Sequence, residues 1–222
     1  MTSTVPEVRR VQRYAPVREQ VAAILRDAIV NMEFLPGQPL VERELCEITR
    51  ASRPSVREAL RQLESEGLIE SKNGRGAVVA ALSRTQAQDL YELRAELEGM
   101  AAERFTRRAT LAQREALHGS LAAIAAASVR GADEMRAAKD EFYRVLIEGA
   151  ANSFLSDTLA SLQRRVSRLR ALTLTTPGRP AKSLSEISAI VAAIDANEPA
   201  KARRIAILHV EEAARTALTF AN

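Results

Sequence analysis

Cysteine, tryptophan and aromatic residues are scarce in this chain of 222 residues, and each scarcity excludes a class of protein. The single cysteine, Cys46, excludes an internal disulfide and fits the reducing cytoplasm. Tryptophan is absent and aromatic residues make up 4% of the chain, which favours packed helices over a β-sandwich. No apolar run approaches the ~20 residues of a membrane-spanning helix. The composition therefore predicts a cytoplasmic, mainly α-helical protein that does not enter a membrane.

Side chains that commonly carry catalysis are also few. The chain has two histidines, His118 and His209, and its cysteine lies far from both in sequence. No glycine-rich phosphate loop follows a strand, and no nucleophile stands beside a base in the pattern that covalent catalysis requires. We therefore expect that the protein is not an enzyme.

The segment 52–63 has the pattern of a short helix with two unlike faces. Its apolar face consists of Val56, Ala59, Leu60 and Leu63. Arg53, Arg57 and Arg61 recur every four residues and form a second stripe, while Ser52 can cap the first turn. The net charge of +4 says little about nucleic acid, so the placement of these arginines carries the argument. The pattern fits a helix that enters the DNA major groove, although a merely solvated face remains the alternative.

The residues before this segment complete a helix-turn-helix. A periodic stripe predicts a first helix from 17 to about 32, and Pro36-Gly37 predicts a turn. A second short helix is expected from 42 to about 49, with Ile48 turned inward. Three residues then separate it from segment 52–63, which is the spacing of a helix-turn-helix.

After this helix the pattern becomes extended. Strands are expected at 68–71 and 77–80, joined by an Asn73-Gly74 turn in which both positions tolerate positive φ. A hairpin after a helix-turn-helix makes a winged helix, whose small, basic tip suits contact with phosphates or the minor groove. A solvated turn remains the alternative. The candidate tip residues are Lys72, Gly74 and Arg75.

From residue 83 onward the pattern is helical throughout. Capping-box sequences begin at Ser83 and Thr110, and Leu93 is expected to face inward on the first long helix. A loop at 175–180 precedes a helix expected from about Leu184. The remaining pattern predicts an all-α bundle of about six helices. We therefore divide the chain into three parts: a flexible arm (1–16), a winged helix-turn-helix with a two-stranded wing (17–81) and an all-helical domain (82–222).

The first of these domains resembles a known family. The segments 41–45, 52–60 and 63–69, together with the Pro36-Gly37 turn, closely resemble the N-terminal domain of the GntR family of bacterial transcription regulators. The resemblance covers about residues 17–81. One departure is that the family's usual proline, at the position of Ser55, stands one residue earlier here.

The resemblance implies a set of DNA contacts. Arg43, placed before the first helix of the motif, would contact DNA together with Arg53 and Arg57. Ser52 and Ser55 would contact phosphates or base edges, and Gly74 would let the wing tip approach the minor groove. Arg61 lies further from the helix start and is either a phosphate contact or solvated. The family's architecture implies a homodimer on a palindromic double-stranded operator.

The helical domain resembles the FCD-type ligand-sensing domain of the FadR-like subfamily. The resemblance is carried by segment 91–98, by Phe142 with Asn152 and by the closing helix with His209, and it covers about residues 84–218. It implies an effector-binding and dimerisation domain that binds a small organic acid. In most members the domain also holds a divalent metal on one aspartate and three histidines.

The metal-binding positions depart from that pattern. Lys139 stands at the aspartate position, Tyr143 and Ile187 stand at two histidine positions, and only His209 is retained. An ammonium group and an alkyl chain cannot ligate a metal, so we predict no metal and no other cofactor. Arg94, Lys139, Tyr143 and His209 would instead form a polar pocket for an anionic effector. The alternative is that these are satisfied core groups.

Three hypotheses follow. The first is a homodimeric repressor that an effector releases from its operator. The second is a ligand-binding or interaction protein whose winged helix contacts protein rather than DNA. The third is a metal-dependent regulator with a rearranged site using Asp140 and His209.

Overall fold

The computed structural model describes residues 16–72, 74 and 76–221, apart from the side chain of Arg168. Residues 1–15 of the predicted arm, and Arg75 of the predicted wing, lie outside the described residues. The chain is mainly α, as the sequence predicted. Its elements are α1 (Val17–Val30), α2 (Glu42–Thr49), α3 (Arg53–Ser65), β1 (Ile69–Lys72), β2 (Gly76–Val79), α4 (Arg84–Arg108), α5 (Leu111–Ala127), α6 (Ala132–Gly149), α7 (Ser153–Thr175), α8 (Arg179–Asp195) and α9 (Pro199–Ala217).

Helix α3 forms where the sequence predicted it. The hydroxyl of Ser52 accepts a hydrogen bond from the backbone N–H of Ser55, and Pro54 occupies the first turn, where its missing N–H costs nothing. Its apolar stripe is buried. Gly67 follows the helix at a φ of +74°, which glycine adopts without strain, and the chain then turns into β1.

The N-terminal unit is a winged helix. Helices α1, α2 and α3 bury one shared core that includes Leu25, Leu45 and Leu63. The strands β1 and β2 pair antiparallel with Ile69 opposite Val79, and this buried end of the hairpin closes the core. The other end of the hairpin therefore projects away from the helices as a wing.

The C-terminal unit is an α-helical bundle of α4–α9. Its largest core cluster includes Phe105, Phe142 and Ile187, all of which are fully buried. Helices α4 and α9 approach closely at Gly99, where an added Cβ would lie 2.7 Å from Cγ1 of Ile207. The predicted capping boxes at the starts of α4 and α5 are both present.

Three details of the prediction were wrong. Helix α8 begins at Arg179 rather than near Leu184, because Gly178 adopts a positive φ and Pro180 starts the helix. Leu93 is 48% exposed, since the buried face of α4 is rotated toward Tyr91 and Ala95. Ile48 is 60% exposed at the end of the short helix α2.

The two units meet along α1 and α7. Arg26 of α1 donates two hydrogen bonds to the carboxylate of Glu66, at 2.8 and 2.7 Å, and this pair ties α1 to the end of α3. The side chain of Arg165, on α7, lies against Gly67.

Within the described residues, none of the helices combines the length and apolarity that a membrane crossing requires.

Candidate DNA interface and internal polar pocket

The arginines predicted to contact DNA are exposed on α2 and α3. Arg53 lies in the first turn of α3 and Arg57 one turn later, so both project from the N-terminal half of the helix. The family resemblance had placed Arg43 before the first helix of the motif. In the structure Arg43 lies inside the first turn of α2. The three side chains nevertheless belong to adjacent helix starts, which is compatible with contact to one stretch of DNA.

Arg57 is held by a partner that the sequence reasoning missed. Its Nε donates to both carboxylate oxygens of Glu42, at 2.8 and 3.0 Å. The hydrogen bond to Arg57 lowers the pKa of the Glu42 carboxyl, and the same contact raises the pKa of Arg57. Both side chains are solvent-exposed, so water and salt weaken the pair.

The two serines of the predicted interface contact each other. The Oγ atoms of Ser52 and Ser55 lie 3.0 Å apart, and Ser52 also accepts the N–H of Ser55 at 3.4 Å. Ser52 therefore caps α3, and its remaining hydrogen-bonding capacity faces solvent. Arg61 pairs with Glu58 at 2.6 Å on the same exposed face.

The wing carries one described basic side chain. Lys72 ends β1 and pairs with Glu70 at 2.9 Å. Gly74, at the exposed tip, has a φ of +78° and nothing lies within 4 Å of an added Cβ. Gly74 therefore has open space around its Cα, which is compatible with close approach to a groove.

The four residues predicted to form an effector pocket are brought together inside the helical bundle. Arg94 comes from α4, Lys139 and Tyr143 from α6, and His209 from α9. All four are buried. The guanidinium carbon of Arg94 lies 5.7 Å from the centroid of the Tyr143 ring, and Arg94 and Lys139 line the same small cavity.

Arg94 is the most deeply placed charge of this group. Its Nε donates to Oε1 of Glu98 at 2.7 Å, and each side chain of the pair is 2% exposed. Although burial alone lowers the pKa of Arg94, the Glu98 carboxylate holds it above its ordinary value. NH1 of the same guanidinium is buried without a partner among the described residues.

Lys139 and His209 both have lowered pKa values. Nζ of Lys139 donates to Oγ of Ser183 at 2.7 Å. Burial, reinforced by nearby guanidinium groups, holds the pKa of Lys139 well below its ordinary value. Burial also lowers the pKa of His209 to about 4, even though its Nδ1 lies 2.5 Å from Oε2 of Glu186. An arriving anion would favour the charged form of both groups.

Two arginines near the pocket were not predicted from the sequence. Arg170 lies on α7 with its guanidinium carbon 5.4 Å from the Tyr143 ring centroid, and its NH2 contacts Asp140 at 3.0 Å. Arg179 donates to Glu186 at 2.9 Å from the first turn of α8. The available signal for Arg170 was its place one turn after Val166 on the apolar face of α7. Arg179 gave no such signal, because its segment was interpreted as a loop.

The pocket has more donors than acceptors. Four basic side chains, those of Arg94, Lys139, Arg170 and Arg179, line the cavity. The buried carboxylate of Glu98 and the partly buried carboxylate of Glu186 face this group from α4 and α8. Several polar atoms are buried without a partner in the described part of the chain, and those around this pocket are Tyr91 OH, Tyr143 OH, Arg94 NH1, His209 Nε2 and Glu186 Oε1.

The residues at the expected metal positions do not fit a metal. Lys139 is occupied with Ser183, and Ile187 is fully buried in the apolar core. Asp140 faces Arg170 and Arg136 instead of His209. Among residues 16–72, 74 and 76–221, no group of three or more histidine, cysteine, aspartate and glutamate side chains could hold a metal ion.

Comparison with known proteins matches both halves of the chain to family models. Residues 17–79 match the model described as "Bacterial regulatory proteins, gntR family". Residues 89–212 match the model described as "FCD domain". The two matches lie on the winged helix and on the helical bundle respectively.

The chain is also similar to individual transcription regulators and to a solved structure. The chain is 28% identical over 201 residues to the HTH-type transcriptional repressor RspR of Escherichia coli K12, covering 89% of this chain and 87% of that one. It is 32% identical over 137 residues to the Nta operon transcriptional regulator of Aminobacter aminovorans, covering 62% of this chain and 65% of that one. The fold is similar to the solved structure of E. coli McbR/YncC, with a TM-score of 0.81 and 19% identity, covering 94% of this chain and all (100%) of that one.

Proposed function

The chain belongs to the gntR family of bacterial regulatory proteins and carries an FCD domain, and from this premise we propose that it is a repressor released from operator DNA by an organic-acid anion. As a member of this family it is a DNA-binding transcription regulator and not an enzyme. The proposal adds the sign of regulation, the kind of effector and the residues that recognise each ligand.

The observation that carries the proposal is the set of buried donors inside the bundle, around a cavity of about 10 Å³ that would have to widen to admit an organic acid. Arg94 NH1 and the hydroxyls of Tyr91 and Tyr143 are buried with no acceptor among the described residues. Buried polar groups without partners cost free energy, and a carboxylate would supply the missing acceptors. Such an anion would also raise the lowered pKa of Lys139, and this coupling adds to the affinity.

Two copies of the chain would read a palindromic operator. In this proposal the unit 17–81 binds DNA, and the unit 82–222 binds the effector and dimerises. A two-fold axis would place the α3 helices in successive major grooves. An effector that binds more tightly to the arrangement unable to reach both grooves would release the DNA. RspR carries the word repressor in its name, which supports this sign of regulation.

The proposed DNA contacts divide into two roles. Arg43, Arg53 and Arg57 would contact base edges, because a guanidinium can donate two hydrogen bonds to guanine. The remaining residues would contact the sugar-phosphate backbone, and these are Ser52, Ser55, Arg61, Lys72, Gly74 and Arg75.

The effector is tested in two measurements on the full chain. A panel of mono-, di- and tricarboxylates is screened by thermal unfolding, since a ligand of the folded state raises its stability. The operator is selected from a random duplex library, and each stabilising acid is then added to an anisotropy titration with that duplex. We expect at least one acid both to raise the unfolding temperature and to weaken DNA binding.

Two matched variants test whether the acid acts through the internal pocket. Lys139→Met removes a buried donor that lines the cavity and should abolish the response to the acid. Lys201→Met removes a lysine that pairs with Glu198 on the surface and should leave it intact. A response that is equal in both variants, or a panel in which no acid affects DNA binding, contradicts the proposal.

A further inference from the structure

A second, separate cleft lies where the winged helix meets the bundle. Its walls are α1 on one side and α6 with α7 on the other, and Leu68 of the winged helix forms part of its floor. Its volume is about 350 Å³, within the range of small-molecule sites. The cleft is therefore large enough for a small metabolite and is shared by the two units.

Arginines from both units face this cleft. Arg26 comes from α1, Arg136 from α6, and Arg164 and Arg170 from α7. Two of them are already engaged, since Arg26 pairs with Glu66 and Arg170 pairs with Asp140. The acidic groups that face the cleft are Asp27 and Asp140, so the lining carries four cationic against two anionic side chains.

Three donor atoms in this lining lack acceptors. Nε of Arg136, Nε2 of Gln163 and Nε of Arg164 are each buried without a hydrogen-bond partner among the described residues. Arg136 makes only long contacts with acidic groups, at 3.9 Å to Asp133 and 3.8 Å to Asp140. A buried N–H with no acceptor is costly, so lining residues that carry three such atoms would gain from turning them toward an acceptor-rich ligand.

We propose that this cleft binds the phosphate group of a small molecule, either a phosphate monoester or free phosphate. A phosphate offers three or four acceptor oxygens in a tetrahedral arrangement, whereas a carboxylate offers two in one plane. Donors that come from α6 and from two positions of α7 match the tetrahedral anion better, and guanidinium groups bind phosphate through paired N–H groups.

The proposed site shares α6 and α7 with the internal pocket, but it also has α1 of the winged helix as a wall. A phosphate between Arg136 and Arg164, with Arg26 across the cleft, would link the bundle to α1 of the winged helix. Arg170 lines both the cleft and the internal pocket, so the two sites share one side chain. Ligand bound in the cleft would therefore restrain the orientation of the DNA-binding unit.

The test uses inorganic phosphate and the full-length chain. Calorimetric titration at fixed ionic strength, with chloride replacing phosphate in the reference, measures the affinity. We expect saturable binding to the wild-type chain and a loss of at least about tenfold in Arg136→Gln and in Arg164→Gln, since each removes a charge-assisted donor. Gln163→Leu provides a third, uncharged change in the same lining.

Control variants separate this site from surface charge and from the internal pocket. Arg144→Gln removes an exposed arginine that pairs with Glu141 and Glu148 on α6, and it should bind phosphate like the wild type. Lys139→Met alters the internal pocket and should also bind normally. No binding beyond the chloride reference, an equal loss in Arg144→Gln, or loss confined to Lys139→Met would overturn the proposal. A sugar phosphate titrated in the same way decides whether the ligand is an ester or the free ion.

Discussion

Arg57 of α3 donates its Nε–H to both carboxylate oxygens of Glu42 of α2, at 2.8 and 3.0 Å. The contact crosses the turn of the helix-turn-helix and fixes the direction of a side chain that would otherwise be free in solvent. A guanine edge or a phosphate would have to compete with Glu42 for this guanidinium. The pair therefore orients Arg57 in the absence of DNA, and we expect the Glu42 carboxylate to repel a phosphate that approaches it.

Replacing Arg57 with alanine should greatly weaken operator binding while leaving the fold intact. The side chain is exposed, so its loss removes little packing, but a good bidentate contact to guanine discriminates bases by about 5- to 150-fold in affinity. Anisotropy titration with the selected operator measures the loss. Arg107→Ala, which alters an exposed arginine of α4, serves as the control. Operator binding by Arg57→Ala at wild-type affinity would remove this residue from the interface.

The winged helix was predictable because its signals are local. The cap at Ser52, the apolar stripe of α3 and the glycine at the turn each depend on neighbours within a few residues, and the structure has all of them. The partner of Arg57 was not predictable in this way, since Glu42 lies 15 residues earlier and the contact depends on how α2 and α3 cross.

Removing the carboxylate of Glu98 should strongly destabilise the bundle. Glu98→Gln leaves the buried guanidinium of Arg94 without a counter-charge, and breaking a buried ion pair in this way costs about 3–5 kcal/mol in the free energy of unfolding. Chemical denaturation measures the change. Glu148→Gln breaks an exposed pair with Arg144 and should change the stability little.

A double variant checks the physical reason for that loss. Arg94→Met with Glu98→Leu removes both charges and fills the space with apolar atoms. It should be more stable than Glu98→Gln, because no uncompensated charge remains. If the double variant unfolds as readily as the single one, packing and not charge explains the effect.

The pocket was only partly predictable because it depends on five helices. The sequence pointed to Arg94, Lys139, Tyr143 and His209, and the structure places all of them in one buried cluster. Arg179 could not be found, since a proline-glycine loop was expected where α8 begins. The unpartnered donors of the interdomain cleft depend on the packing of α1 against α7, for which the sequence carries no periodic signal.

The protein should lose stability on acidification between about pH 6.5 and pH 4. Burial lowers the pKa of His209 to about 4 in the folded state, whereas the unfolded chain has an ordinary value of 6.5. The unfolded chain therefore binds a proton first as the pH falls, so the stability contributed by neutral His209 is present above about pH 6.5 and is lost toward pH 4. Glu186, whose pKa is also lowered through His209 and Arg179, adds a further loss at lower pH.

Substitution of His209 tests this source of the pH dependence. His209→Gln keeps a polar side chain but does not titrate, so it should flatten the stability curve between pH 6.5 and pH 4 by up to about 3 kcal/mol. Denaturation at several pH values measures the curve. His118→Gln, which alters the exposed histidine beside Asp195, is the matched control and should keep the wild-type dependence. An unchanged curve in His209→Gln would assign the effect to other groups.

Protein purified without chelator should contain no stoichiometric metal. Of the side chains at the positions where the resemblance implies metal ligands, Lys139 is hydrogen-bonded to Ser183 and Ile187 offers no donor atom. His209 has one unpartnered nitrogen, but a single imidazole beside Glu186 is too small a ligand set for a transition metal. Elemental analysis of the full chain measures the metal content. The comparison is a triple variant, Lys139→Asp with Tyr143→His and Ile187→His, which restores the usual ligands. We expect metal in the restored variant and none in the wild type, whereas one equivalent of zinc, nickel or manganese in the wild type would contradict the prediction.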